Sequence, residues 1–376
     1  MKVKIGDCIE CNPTVKLVKG NKYPLIDIDK ITVGRKLVTH KASIIYDKQS
    51  GCKFQNGDTL MARITPCLEN GKIAMASIPD KGIGSTELFV FRGKKGITDN
   101  DFVYYFLKQD YIRDLATNSM TGASGRQRAD LKFIKKIAFK LPPLPLQQKI
   151  ASILSAYDTL IENNTRRIRL LEQMAENLYK EWFVRFRFPG HEKVEMVNGL
   201  PKGWERTNLG KYANISTGKC NREDAEVDGK YPLFDRSQET KKSNHWIKDC
   251  EAIIVPGEGT SFIPRYYKGK FNLHQRCYCI EPTIEDIGFY LFHSVMLNRK
   301  YFLSVATGAT VPSLRQNNFT RMKLIIAELY LVRKYNKIAT TLALQINKLA
   351  QQNTLLTRQR DLLLPRLMSG KIEVKP

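Results

Sequence analysis

Residues 141–154 read LPPLPLQQKIASIL, a proline-rich stretch that leads directly into an apolar helical pattern. Proline fixes the backbone φ angle and lacks an N–H group, so it ends an extended run and suits the first turn of a helix. Residues 331–344, LVRKYNKIATTLAL, open a similar pattern towards the other end of the chain. The sequence therefore predicts two long helices with similar beginnings.

Further stretches repeat in the same order. GNKYPLIDIDK (20–30) resembles DGKYPLFDRSQ (228–238), and the helical patterns at 102–124 and 287–310 both end in Thr-Gly-Ala. Lys149-Ile150-Ala151 then matches Lys337-Ile338-Ala339. Each match is weak alone, but matches in one order along both halves indicate an internal duplication.

A chain of 376 residues is typical of two domains. In each half, short apolar runs separated by Gly and Pro predict β-strands with one or two short helices, and a long helical pattern follows. We expect an α+β fold with two similar β-rich domains and two long antiparallel coiled-coil helices, related by a pseudo-twofold repeat. The predicted segments are the first domain 1–140, the first helical region 141–188, the second domain 189–328 and the second helical region 329–376.

Apolar residues recur at spacings of three or four along both predicted long helices, which indicates a seam for another helix. Gln345, Gln352 and Gln359 interrupt the second seam. The alternative is that each helix covers only its own domain. The seam positions, which are also candidate contacts for a protein partner, are Ile150, Leu154, Tyr157, Ile161, Ile168, Leu171, Leu178, Ile338, Leu342, Leu349, Leu356 and Leu363.

The formal net charge is +24, and a field of that sign attracts polyanions, of which nucleic acid is the commonest. A basic protein with no such partner is the alternative. Loops that carry Arg, Gln, Asn, Ser and Thr near glycine are the natural DNA-binding candidates, since Arg and Lys hold phosphates and Arg and Gln read base edges. These candidates are Arg63, Thr65, Lys72, Thr121, Ser124, Arg126, Gln127, Arg128, Arg265, Tyr266, Lys268, His274, Gln275, Arg276, Thr310, Ser313, Arg315, Gln316 and Asn317.

Sequence signatures of catalysis are missing. No phosphate-binding G-x-x-x-x-G-K-[ST] loop and no H-E-x-x-H metal motif occurs, and Pro142-Pro143 lacks the amide or carboxylate neighbour of an adenine-methylating strip. Carboxylates far apart in sequence remain an alternative nuclease site. We therefore expect a chain without catalytic residues and without a cofactor of its own.

Eight cysteines occur without a secretory leader or a long apolar run, which predicts a cytoplasmic chain with free thiols and no membrane contact. Cys8 and Cys11 form C-x-x-C, and Cys277 and Cys279 form C-x-C. A zinc site needs two such pairs to converge. The expectation is that the chain holds no metal.

Several stretches resemble the specificity subunits of Type I restriction-modification systems. Residues 141–186 resemble their central conserved region, GLPKGWERTNLGKYANISTGK (199–219) the start of their second target-recognition domain, and LLPRLMSGKIEV (363–374) their C-terminal ending. GSTELFVFR (84–92) resembles a strand segment inside their recognition domains. These signatures occur in the order of the family and cover essentially the whole chain.

The resemblance implies two target-recognition domains that each read one half of a bipartite sequence in double-stranded DNA. It also implies that the two long helices set the distance between the half-sites and bind two modification (methyltransferase) subunits, which carry S-adenosylmethionine. Restriction subunits would complete an ATP-dependent nuclease. Two alternatives are a scaffold that binds nucleic acid without sequence choice and an enzyme whose site has escaped detection.

Overall fold

A computed structural model describes residues 2–123 and 125–374 of the chain. It divides into two compact units, of which the first comprises Met1–Arg166 with Leu349–Pro376 and the second Arg167–Lys348. Each long helix therefore contributes one part to each unit.

Among its described residues, the first unit contains eleven strands. They are β1 (Lys2–Lys4), β2 (Ile9–Cys11), β3 (Lys22–Ile26), β4 (Leu37–Thr39), β5 (Ala42–Ile45), β6 (Cys52–Gln55), β7 (Thr59–Ala62), β8 (Ile73–Ser77), β9 (Lys81–Gly84), β10 (Leu88–Gly93) and β11 (Ala138–Lys140). Its helices are α1 (Ile5–Cys8), α2 (Asn100–Lys108), α3 (Asp110–Asn118), α4 (Leu131–Lys136), the beginning of α5 (Leu144–Tyr179), the end of α9 (Leu329–Met368) and a 3-10 turn (Ile28–Lys30).

Two sheets form the first domain, one with the order β2-β10-β7-β8-β4 and one with the order β5-β3-β9-β6, while β1 pairs with β11. Successive side chains of a strand point to opposite faces. On β10, Leu88 and Val90 accordingly join one apolar core, whereas Phe89 and Phe91 join a second core that includes α2 and the beginning of α5. The domain is therefore packed onto its part of the long helices.

Ten further strands occur in the part of the second unit that the structure describes. They are β12 (Met196–Val197), β13 (Leu200–Pro201), β14 (Glu205–Asn208), β15 (Ala213–Thr217), β16 (Tyr231–Phe234), β17 (Thr240–Ser243), β18 (Lys248–Pro256), β19 (Arg265–Leu273), β20 (Cys277–Pro282) and β21 (Lys323–Ile326). Its helices are α6 (Gly288–Leu297), α7 (Arg299–Val305), α8 (Gln316–Thr320), the remaining parts of α5 and α9, a π turn (Lys180–Val184), and the 3-10 turns His191–Lys193, Leu209–Lys211 and Arg222–Asp224.

A six-stranded sheet of order β15-β20-β18-β19-β16-β17 forms the second domain, with the pairs β14-β21 and β12-β13 beside it. The two Lys-Tyr-Pro-Leu stretches occupy matching strands: β3 pairs antiparallel with β5 and parallel with β9, as β16 does with β17 and β19. The predicted duplication and the α+β fold class are confirmed.

In the first unit, the contacts between α5 and α9 show that the two helices are antiparallel there. Asp158 of α5 pairs with Arg360 of α9, and Asn353 Nδ2 donates to Thr165 Oγ1 at 3.3 Å. An increase of seven residues on α5 thus meets a decrease of seven on α9, which is the relation expected of antiparallel helices with a heptad repeat. The buried Gln147 side chain ties the start of α5 to the domain, because it donates to the Ile97 and Pro142 carbonyls.

Aromatic side chains hold the helices of the second unit. The Tyr335 hydroxyl of α9 donates to the Ala175 carbonyl of α5 at 3.2 Å. Trp182 and Phe183, just beyond α5, pack in the same core as Trp204 of the second domain. These contacts fix the end of α5 against its domain.

The seam of α9 differs from the predicted one at every second position. Leu349 is buried and Leu342, Leu356 and Leu363 are half-buried, but Ile338 is exposed. The glutamines at 345, 352 and 359 are also exposed. The next residue faces inwards instead in each case, so the inner positions are Ala339, Ile346, Asn353 and Arg360. A period of 3.5 residues fits both the predicted positions 338, 345, 352 and 359 and the observed inner positions 339, 346, 353 and 360. The observed set faces inwards because Arg360 pairs with the buried Asp158.

On α5, the predicted seam residues Ile150 and Leu154 are buried. Tyr157, Ile161, Ile168, Leu171 and Leu178 are half-buried. Asp158, Asn164 and Ala175 are buried on the same helix. Within the described ranges, no helix is both long and apolar enough to cross a bilayer.

Candidate nucleic-acid interface

Three segments of the first domain meet through backbone hydrogen bonds after the central strand β7. The Arg63 N–H donates to the Glu87 carbonyl at 3.0 Å, the Ala129 N–H donates to the Arg63 carbonyl at 2.8 Å, and the Thr65 N–H donates to the Gln127 carbonyl at 3.0 Å. We call this arrangement of residues 63–65, 87, 121–123 and 125–129 the first loop platform. It presents polar side chains on a surface that backbone hydrogen bonds hold in place.

The second domain builds the same frame from residues 257–259, 276 and 307–314, the second loop platform. The Gly257 N–H donates to the Arg276 carbonyl at 2.8 Å, the Leu314 N–H donates to the Gly257 carbonyl at 2.8 Å, and the Gly259 N–H donates to the Pro312 carbonyl at 3.0 Å. Each bond has its counterpart in the first platform. The repeat therefore extends to individual hydrogen bonds.

The Thr-Gly-Ala loops close in the same way in both platforms. Thr121 and Arg128 exchange two backbone hydrogen bonds, as do Thr307 and Ser313. The glycines after the two threonines have φ angles of +122° and +121°, a region that residues with a Cβ rarely enter. Glycine at these positions is thus a backbone requirement of the loop.

Positive groups surround the first platform. A surface cavity of about 570 Å³ is lined by four cations, Arg63, Arg128, Lys132 and Lys135, and by one acid, Asp130. The guanidinium of Arg63 stacks over the Phe89 ring at 4.9 Å, and its Nε is buried without a hydrogen-bond partner in the described part of the chain. Such a concave basic surface can accept phosphate oxygens or base edges.

The second platform combines positive and negative side chains. Glu258 accepts from Arg236 Nη1 at 2.6 Å and lies 3.4 Å from Arg276 Nη1. Burial lowers the pKa of the adjacent His274, and the nearby Arg236 lowers it further. His274 is therefore neutral near pH 7 and accepts from the Arg276 N–H through Nδ1 at 3.0 Å.

Several predicted DNA-binding residues lie on the platforms, exposed or half-buried. On the second, Gln275 donates to Asn221 Oδ1 at 2.6 Å, and Gln316 donates to the Ile215 carbonyl at 2.8 Å, so both amide groups already have internal partners. Ser124 lies outside the described residues. The platforms bring together Arg63, Thr65, Thr121, Arg126, Gln127 and Arg128 in the first domain, and Arg276, Thr310, Ser313, Arg315, Gln316 and Asn317 around the second.

Two predicted cations serve the fold instead. Lys72 Nζ donates to the Ile28 carbonyl at 3.0 Å, and Arg265 Nη2 donates to the Asp235 carbonyl at 2.6 Å. Each thereby ties down the segment that follows a Lys-Tyr-Pro-Leu strand. Arg265 also stacks over Phe234 at 4.8 Å, and burial lowers the pKa of its guanidinium.

Tyr266 and Lys268 point to the opposite face of β19 from Arg265, as alternation along a strand requires. Tyr266 stacks on Phe289 of α6 with ring centroids 3.9 Å apart, and its hydroxyl donates to Glu251. The exposed Lys268 lies opposite Glu251 in the strand register. The structure therefore separates this pair of candidates from the second platform.

The sequence interpretation missed the acidic partners Glu87 and Glu258 and the cations Lys132, Lys135 and Arg236. Arg236 lies three residues beyond the second Lys-Tyr-Pro-Leu stretch, where the first repeat has Ile28, so its proximity to Glu258 becomes visible only in the fold. Lys132 and Lys135 lie on α4, immediately beyond the first platform.

The cysteines converge differently from the predicted pairs. Ligand atoms of Cys250, Cys279 and Glu281 lie within 4.8 Å of one another, a grouping that the C-x-x-C and C-x-C spacings do not indicate. Lys248 Nζ lies 3.3 Å from the Glu281 carboxylate and partly compensates the charge there. Burial raises the pKa of the neighbouring Cys277 thiol to about 12, so this group stays protonated near pH 7.

Two domains with one repeated loop platform, each packed on parts of two long helices, form a duplicated architecture. The chain belongs to the family of the Type I restriction modification DNA specificity domain, whose family model matches residues 1–173 and 201–355.

Individual relatives agree with this family. The chain is 29% identical over 177 residues to the Type I restriction enzyme EcoDI specificity subunit of Escherichia coli, a match that covers 46% of this chain and 39% of that protein. It is 25% identical over 323 residues to the MjaIX specificity subunit of Methanocaldococcus jannaschii, which covers 75% of this chain and 71% of that protein.

The fold also matches a solved structure. The crystal structure of a Type I restriction-modification S subunit from M. genitalium superimposes with a TM-score of 0.60 at 18% identity, covering 98% of this chain and 96% of that one. At this identity the likeness concerns the fold.

Proposed function

We propose that this chain is the DNA-recognition subunit of a Type I restriction-modification complex and that each domain reads one half of a bipartite, asymmetric duplex sequence. The loop platform is the observation that carries the proposal, because one backbone frame occurs twice with different polar side chains. A shared frame supplies the same docking geometry, and different side chains supply different base contacts. The net charge of +24 supports affinity for the phosphate backbone.

The long helices are proposed to set the spacing between the half-sites. Support comes from the polar contacts between α5 and α9 in the first unit, at Asp158 with Arg360 and at Thr165 with Asn353. Polar groups at a seam fix the register of paired helices. Inserting one heptad into α5 and a matching heptad into α9 should change the spacer that the complex accepts, and an unchanged spacer would contradict this role.

The outer faces of the long helices are proposed to bind two modification subunits. Large apolar side chains are exposed there, which is typical of protein-binding surfaces. They are Leu160, Leu355 and Leu362 in the first unit, and Leu170, Met174 and Leu344 in the second. S-adenosylmethionine and the methyl-transfer chemistry would belong to those subunits, and this chain would contribute recognition without catalytic residues. Restriction subunits would join the same assembly.

The test is to co-express the chain with its modification subunits and to sequence the methylated adenines. One bipartite motif that disappears when this chain is deleted is the expected result. Equal binding of the complex to all duplexes at fixed salt would instead favour a scaffold without sequence choice. Methyl transfer by the purified chain alone, with S-adenosylmethionine, would indicate an enzyme.

A further inference from the structure

Each loop platform carries an arginine whose guanidinium lies against a glutamate. In the first, Arg128 Nε donates to Glu87 Oε2 at 2.9 Å and Nη2 donates to Oε1 at 2.6 Å. Nη1 lies 3.4 Å from the Arg126 carbonyl. The side edge of the guanidinium is therefore held by the carboxylate, while the Nη1/Nη2 end of a side chain that is 43% exposed remains available.

The second platform also holds an arginine beside a glutamate, but the two residues come from other positions of the frame. Arg276 occupies the position of Glu87, since the two carbonyls accept from the matching Gly257 and Arg63 N–H groups. The carboxylate comes from Glu258, which lies 3.4 Å from Arg276 Nη1 and also accepts from Arg236. The Arg276 side chain is 62% exposed. The pairing thus recurs although the residue types at the matching positions differ.

Stability does not account for such pairs, because exposed ion pairs contribute little to folding. Their physical effect is to restrict the rotamers of a long side chain before it binds anything. They also discriminate between targets. A phosphate beside Arg128 would be repelled by the Glu87 carboxylate, whereas the neutral N7 and O6 acceptors of guanine suit an arginine fork whose charge is already compensated.

We propose that Arg128 and Arg276 each read a guanine, one in each half-site, and that Glu87 and Glu258 are positioning residues that hold them. The inference rests on the proposed function and adds to it the chemical identity of one base per half-site. It also assigns a role to two glutamates that the sequence interpretation left without one.

The experiment uses the complete complex with its modification subunits and a library of duplexes randomised in both half-sites, at several salt concentrations. Arg128→Ala should relax one G·C position in one half-site by roughly tenfold to a hundredfold. Arg276→Ala should do the same in the other half-site. The slope of log affinity against log salt should stay as in the unmodified complex, because no phosphate contact is lost.

The glutamates are tested by Glu87→Gln and Glu258→Gln, which keep the size of the side chain and remove its charge. Each should weaken discrimination at the guanine of its own arginine by several-fold while unfolding midpoints stay unchanged. Glu87→Asp should retain more of the discrimination than Glu87→Gln. The matched control is Lys132→Ala beside the first platform, which should lower affinity for all sequences and reduce the salt slope by about one.

Three kinds of change in the arginine variants would overturn the inference, as would the absence of any change. They are a uniform loss of affinity with a smaller salt slope in Arg128→Ala, relaxation at an A·T position, and relaxation of the same half-site by both arginine variants. A complex that selects a bipartite sequence but is indifferent to both substitutions would overturn the inference alone. An unmodified complex that selects no sequence would instead contradict the proposed function.

Discussion

The central hairpin of the second domain consists of two nine-residue strands, β18 and β19, whereas the first domain divides the corresponding hairpin among β6, β7, β8 and β9. The break after β6 is the turn Asn56-Gly57-Asp58, in which Gly57 has a φ angle of +83°. Asp58 is fully buried there and accepts from Arg92 Nε at 2.7 Å and Nη2 at 2.8 Å. Ala252 of the continuous β18 lies at the matching position in the strand register.

The continuous hairpin and the divided hairpin both end in a loop platform with the same backbone frame, and the corresponding hydrogen bonds have nearly equal lengths. The duplicated chain therefore preserves the backbone at one end of the hairpin while its other end has changed. Because the platforms carry different side chains on one frame, the two domains can read different bases without a change of fold. The comparison gives matched positions at which each domain serves as the control for the other.

The largest difference should come from Asp58. Asp58→Ala removes the buried partner of Arg92 and leaves its guanidinium with only the partly exposed Glu10, whose carboxylate lies 3.8 Å away. The loss should cost about 3 kcal/mol in the free energy of unfolding, near the lower end of the values typical for a broken buried ion pair. Hydrogen exchange should accelerate in peptides of the first unit and stay unchanged in those of the second. The control is Lys248→Ala in the second domain, which removes a partly exposed partner of Glu281 and should change exchange little. Equal effects of the two variants would mean that the divided hairpin does not depend on its buried pair.

A smaller difference is expected from the two glycines of the Thr-Gly-Ala loops. Both have positive φ angles, so alanine is strained in each, at about 1–3 kcal/mol. A Cβ at Gly308 would lie 2.5 Å from the Val311 carbonyl oxygen, whereas a Cβ at Gly122 would lie 3.3 Å from that of Arg126. Gly308→Ala should therefore accelerate amide exchange in 307–314 more than Gly122→Ala does in 121–129. The reverse order would show that the two loops are not equivalent in solution.

The repeats, the start of α5 and the placement of both loop platforms could be predicted from the sequence, because each depends on local chemistry. The inner face of α9 could not, since Gln352 and Asn353 are both polar and only the buried Asp158–Arg360 pair decides between the two sets of positions. Similarly, no local signal shows that Lys72 and Arg265 bind distant carbonyls.

The orientation of Tyr266 depends on where β19 begins. A change of one residue in that beginning exchanges the two faces of the strand. The pairing of Arg128 with Glu87 joins residues from separate segments, so it becomes visible only when the backbone frame is known. In all these cases the missing information is which distant residues of the chain come into contact in the folded protein.

A smaller effect still is expected from the exposed arginines at the rim of the two platforms. Arg126 and Arg315 are exposed, and neither forms an ion pair with another described residue. We therefore expect that Arg126→Ala and Arg315→Ala each remove one contact between the protein and a DNA phosphate. Affinity for the preferred duplex should fall up to about tenfold, equally for all sequences, and the salt slope should decrease by about one. Filter binding at several salt concentrations measures both quantities. A change of base preference in either variant would move that arginine from phosphate binding to base reading.

The smallest effect concerns pH and separates the units again, because four of the five histidines, including the buried His274 and His293, belong to the second unit. Burial lowers the pKa of both imidazoles. The unfolded chain takes up protons near the ordinary histidine pKa of about 6.5, while the folded unit resists them, so the free energy of unfolding should fall as pH decreases from 7 towards 5. Asp235 does not contribute in this window, since hydrogen bonds from Lys241 and Ser237 outweigh its burial and hold its pKa at about 2.

Trp182, Trp204 and Trp246 all lie in the second unit, so tryptophan fluorescence during urea unfolding reports on this unit. The urea midpoint should be lower at pH 5.5 than at pH 7.5. His293→Gln should reduce that difference between the two midpoints, because it removes one of the buried imidazoles. The Nδ1 atom of His293 lies 2.9 Å from both the Phe289 carbonyl and the Tyr335 hydroxyl. Protonation of the imidazole in this buried position is unfavourable. The exposed His245, changed to Gln, should leave the difference intact. A midpoint that rises on acidification would require a group whose pKa is raised on folding, which is the opposite of what the burial of His274 and His293 predicts.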